Sequence, residues 1–98
     1  MATLWWNWTH YTVSPAAGNI GTVKEVIAND LPKLGYTGVQ NAADVHGFKG
    51  DFLLAIAYLP ISGSTFWQVV ACGGNGSVGE AQAEIAEVQK MISGLKFL

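Results

Sequence analysis

Few side chains in this sequence can act on a ligand, and their spacing sorts them. Gly74, Gly76 and Gly79 form a G-x-G-x-x-G run between a strand-like stretch, 66–71, and a helical one, 81–93. A loop of this kind binds phosphate when backbone amides and a helix N-terminus converge on the anion. The dinucleotide version needs a following parallel strand with an acidic residue about 20 positions on. The remaining stretch to Leu98 holds no such strand, and no Lys-Ser/Thr pair makes the loop a P-loop. Ser77-Val78-Gly79-Glu80 reads instead as S-x-x-E, a capping box with its acidic residue where the helix dipole favours it. The glycines are therefore assigned to a turn and a helix start.

His10 and His46 are the two histidines, and Asp44-x-His46 is the nearest approach to a ligand pair. A metal centre takes three or four ligands at suitable spacing, so no metal site and no cofactor are expected. The single Cys72 excludes an intrachain disulfide and reads as a small buried hydrophobe. No G-x-S-x-G elbow accompanies the serines. Two N-x-S/T triplets, at Asn7 and Asn75, fall in a strand and beside a helix cap and are attributed to chance.

The aromatic residues are the distinctive set. Four tryptophans occur in 98 residues, three of them at Trp5, Trp6 and Trp8. Trp and Tyr suit a site with one apolar wall and a few polar contacts. Trp6, Asn7, Trp8, His10, Tyr58 and Trp67 are the candidate ligand-binding residues, for a small apolar or aromatic ligand. Among them Asn7, His10 and Trp67 are the candidates for catalysis. That reading rests on an analogy of residue type with small dimeric α+β barrels, some of which are cofactor-independent oxygenases or haem-degrading enzymes. Residue type alone is thin support for an activity.

These residues need elements to place them. Stretch 3–13 is aromatic and β-branched, a strand with Leu4, Trp6, Trp8, His10 and Thr12 on one face and Trp5, Asn7, Thr9, Tyr11 and Val13 on the other. Ser14-Pro15 ends it. Ile20, Val23, Ile27, Leu31 and Leu34 then recur at helical spacing; Pro32 either kinks the last turn or ends the helix at Leu31, and Gly35 is a natural stop. Stretch 36–50 is irregular, with room for one short strand near 40–46. Stretch 51–60 is almost wholly apolar and reads as a buried central strand, and 60–64 as a hairpin loop leading into a strand over 65–72. Ala81, Ile85, Val88, Ile92 and Leu95 make the second helical stripe, and 95–98 is an apolar tail expected to fold back onto the core or a neighbouring chain.

The order β-α-β-β-α predicts one α+β domain over 1–98. It is two-layered and ferredoxin-like, with a mainly antiparallel sheet, two helices on one face, and a dimeric α+β barrel as its closed form. Only 12% of residues are charged, there is no arginine, and net charge is −2. That charge pattern argues against nucleic acid as a partner. No apolar run approaches a membrane span and no basic-then-apolar leader opens the sequence, so no membrane partner is expected and a cytoplasmic location is favoured over export. With aromatics on both faces of the first strand and little charge, the economical cover for the free sheet face is a second copy of the chain. A non-enzymatic, self-associating domain ranks first. A small-molecule binding module and a cofactor-independent enzyme stand as alternatives.

Overall fold

The computed structural model describes residues 2–95. The chain runs β1 (Thr3–Thr12), α1 (Ile20–Asp30), β2 (Thr37–Asn41), β3 (Val45–Lys49), β4 (Phe52–Ser62), β5 (Thr65–Gly74) and α2 (Val78–Ser93). The strands form one sheet in the order β1-β5-β4-β3-β2. Every neighbouring pair is antiparallel.

Local chemistry sets the boundaries. Ser14 leaves β1 by accepting a hydrogen bond from the Ala17 amide in a short 3-10 turn, Pro15–Ala17. Asn19 caps α1 by accepting from the Thr22 amide. Of the two endings Pro32 allows, the structure takes the earlier: α1 stops at Asp30 with Leu31 as its C-cap. Leu31–Leu34 is a 3-10 turn containing Pro32, and it ends at Gly35, whose φ of 95° is left-handed.

The largest departure from expectation is 36–50, which forms a two-strand hairpin rather than one short strand. The element order is therefore β-α-β-β-β-β-α. The hairpin escaped the residue pattern because glycines replace side chains where alternation would show. Gly38 has φ 60°. At Gly47 a Cβ would meet a Val39 methyl carbon at 3.0 Å. β4 also runs two residues past its expected end, through an irregularity between Pro60 and Ser62. The 96–98 part of the apolar tail lies outside the described residues.

Alternation decides which side of the sheet is covered. Val45, Phe52, Leu54, Ile56, Val70 and Cys72 are buried on one face. Val23, Ile27 and Leu31, from α1 and the 3-10 turn after it, join them in a single core with Ala81, Ile85, Val88 and Ile92 of α2. Both helices thus lie on that face, α1 against β2 and β3 and α2 against β1 and β5.

At the edge strand β1, the Val13 amide donates to the Ser64 carbonyl. Following the register back, odd-numbered residues of β1 bond to β5 and even-numbered ones turn their backbone groups outward. Among the outward groups, the Trp8 amide donates to Asn7 Oδ1 at 2.9 Å.

Candidate functional site

Among the described residues, no helix covers the other sheet face. Register places Leu4, Trp6, Trp8 and His10 of β1 beside Gly73, Ala71, Val69 and Trp67 of β5. Those lie beside Leu53, Ala55, Ala57 and Leu59 of β4, then His46 and Phe48 of β3, with Gln40 and Thr37 of β2 paired to them at the far edge. None of these positions carries Lys, Asp or Glu. Leu4 is 67% exposed, Trp6 55%, Trp8 49% and Leu59 55%. At one end the rings gather. Trp67 meets Trp8 edge-on, with centroids 4.5 Å apart, and His10 at 4.4 Å. Trp8, Leu59, Trp67 and Val69 line an open notch of about 360 Å³.

The six candidate residues do not form one site. Trp6, Trp8, His10 and Trp67 share the uncovered face. Asn7 and Tyr58 lie on the helix-covered face, because one step along a strand reverses the side chain. Asn7 Nδ2 donates to Gln89 Oε1 of α2 at 3.3 Å. The Tyr58 hydroxyl donates to Gln68 Oε1 at 2.6 Å, and Gln68 is the buried polar residue of the core at 3% exposure. Burial, with nearby Tyr11 second, holds the Tyr58 hydroxyl above its ordinary pKa. Of the candidates for catalysis, Asn7 lies on the opposite side of the sheet from His10 and Trp67.

The remaining polar groups are engaged on the covered side. Glu84 Oε1 accepts from the Tyr36 hydroxyl at 2.6 Å and from Lys49 Nζ at 3.1 Å, and Lys49 Nζ stands 5.4 Å from the Tyr36 ring centroid. Burial first, then the hydrogen bond to Glu84, raises the Tyr36 hydroxyl far above its ordinary value. The buried Cys72 thiol is pushed up to about 11 by burial, with Glu84 adding to it. A protonated, enclosed thiol is a poor nucleophile. His46 Nδ1 lies 3.3 Å from Asp44 Oδ1, and among the described residues no group of three His, Cys, Asp or Glu side chains could hold a metal.

The glycine loop is occupied by its own protein. Ser77 Oγ accepts from the Glu80 amide and Glu80 Oε1 from the Ser77 amide, both at 3.1 Å, which completes the capping box. The Asn75 amide donates to the Asp51 carbonyl and Thr3 Oγ1 to the Gly76 carbonyl. Phe52 fills the space a side chain at Gly76 would need, and the Asp51 carbonyl fills that space at Gly74.

The small residues of the open face, Ala55, Ala57 and Ala71, were not singled out from sequence. Their signal was the second face of the apolar β4 stretch, where alanines alternate with large residues. That pattern marks an apolar face without naming a cover for it. The fold is that of a small α+β domain with a five-stranded antiparallel sheet and two helices on one face. No known family model matches the chain, and no match to it was found among curated proteins.

Proposed function

We propose that this domain associates with a second copy of itself through the uncovered sheet face, in a non-enzymatic structural, binding or regulatory role. The exposed apolar area carries the reading. Leu4, Trp6, Trp8, Phe48, Leu53 and Leu59 are each 42–67% exposed. At roughly 200 Å² of full surface for a large side chain, they present roughly 600 Å². That is the upper end of what a monomer shows. A stable interface takes about 800 Å² from each partner, and Trp67, Val69 and the alanines contribute toward the rest. Among the described residues, none of the positions on this face carries a Lys, Asp or Glu that would oppose stacking.

Two sheets packed about 10 Å apart, helices outward, would give the closed arrangement of a dimeric α+β barrel. The ferredoxin-like relation rests on this two-layer plan rather than on strand order, which here is β1-β5-β4-β3-β2 with β1 at the edge. The notch lined by Trp8, Leu59, Trp67 and Val69 favours a second reading, a site for a small flat apolar ligand. His10 stands beside it, against Trp8 and Trp67.

Light scattering over a concentration series tests the first reading. The expected mass is twice that of the chain, falling toward one chain on dilution. A single chain at about 1 mM, where even a weak pair would form, overturns it. Trp fluorescence against a panel of flat apolar compounds tests the second, and an unaltered spectrum throughout removes it.

A further inference from the structure

The open face is not uniformly apolar; it is graded in height. β1 bears a ridge of Leu4, Trp6 and Trp8. Two strands away, β4 bears Ala55 and Ala57, with Ala71 of β5 between. The register puts these in rows. Trp6 pairs with Ala71 and Ala71 with Ala55, while Trp8 pairs with Val69 and Val69 with Ala57. Phe48 and His46 bound the low ground on the far side.

Neighbouring strands are about 4.8 Å apart, so the ridge stands roughly 10 Å from the β4 alanines. Stacked sheets also lie about 10 Å apart, a layer that accommodates a large side chain against a small one and not two indoles end to end. A second copy satisfies this if the two chains are related by a twofold axis lying between the sheets and running along β5. That operation lays the β1 ridge of each copy over β4 of the other, keeps the rows aligned, and sets β5 over its own copy, where Trp67 is already half-buried edge-on against Trp8 and His10. A twofold across the strands would set ridge on ridge.

We propose that the pair is self-complementary in this way, with Trp6 of each copy seated on Ala55 of the other and Trp8 on Ala57. The inference rests on the self-association proposed above and adds its geometry. An isologous interface of this kind repeats every contact twice.

A size exchange tests it. Ala55→Trp fills the low ground and Trp6→Ala removes the ridge; both side chains point away from the core, and circular dichroism checks the fold. Each variant alone should dimerise at least about tenfold more weakly than the unaltered chain. Mixed together, they should form a heterodimer, detected by native mass spectrometry with one chain tagged, because one junction is then native and the other has the two sizes exchanged. Ala57→Trp with Trp8→Ala is the second pair and should behave alike, so a misfolded single variant does not end the test. An unaltered chain that dimerises while neither mixture recovers affinity overturns the seating but leaves self-association standing. An unaltered chain that is monomeric throughout overturns both.

Discussion

Replacing Trp8 with Ala gives the sharpest reading of the open face. Trp8 is 49% exposed, so a partner sheet would hide roughly 120 Å² of an indole with roughly 250 Å² in all. At about 25 cal/mol per Å² that amounts to about 3 kcal/mol for each copy. A symmetric pair loses it twice, and a single loss already raises Kd by about 150-fold. The isolated chain loses much less. Its Trp8 contact is edge-on with Trp67, which contributes about 0.5–1.5 kcal/mol, so the variant stays folded. Sedimentation velocity over a dilution series should show the dimer midpoint moving up by about 100-fold or more, with the far-ultraviolet dichroism unaltered. Glu25→Ala, on the exposed side of α1, is the control and should leave the midpoint where it was. A folded Trp8→Ala chain that dimerises within about threefold of the unaltered one would refute the argument, because a buried indole cannot be removed that cheaply.

Three further outcomes follow from the covered side. Ser77→Ala removes one half of the capping box and should lower stability by about 1 kcal/mol in urea unfolding; an unmoved midpoint would show the cap contributes nothing. Gly74→Ala drives a Cβ into the Asp51 carbonyl, a backbone atom that cannot rotate away, and should lose about 3 kcal/mol or more, seen as a fall in Tm of about 12 °C or more. Stability should also fall in alkali. Burial lifts the Cys72 thiol from the ordinary 9.0 to about 11 and raises Tyr11, Tyr36 and Tyr58 above 10.0. The unfolded chain therefore ionises first, so the stabilisation is complete below about pH 9 and is lost as pH climbs through the folded values. Urea midpoints should be lower at about pH 10.5 than at about pH 8, and an equal or higher midpoint would contradict the burial of these groups.

Much of the architecture was written locally. The capping box at Ser77 and Glu80, the Asn19 cap and the stripe from Ala81 to Ile92 depend on neighbours three or four residues away, and such patterns survive in the bare sequence. The period-2 split of β1 also held, putting Leu4, Trp6, Trp8 and His10 on one face. What the sequence left open was long-range. Asn7 and His10 fall on opposite sides of β1 by parity, but grouping them with Tyr58 and Trp67 required knowing which strands adjoin and in what register. Tryptophans on both faces concealed which face α2 covers. The hairpin of β2 and β3 was illegible because Gly38 and Gly47 carry no side chain to alternate, and the alignment of Ala55 and Ala57 with the large residues of β1 emerges only when β1 is seen two strands away.

The pairing of β1 with β5 also sets an order of events as the chain is made. Thr3 finds its partner in Gly74, so the first strand waits for nearly the whole domain. At about 5–20 residues per second, the 60 or so residues up to β5 take roughly 3–12 s. During that interval a ten-residue segment holding three of the four tryptophans has neither sheet nor helix to cover it. The β2-to-β5 meander closes through short turns and can form without it, whereas docking β1 closes the longest loop in the domain and is the slow step expected of such topology. The tryptophan-rich strand is thus made first and paired late, and crowding of nascent chains is the circumstance in which it is most exposed to misassembly.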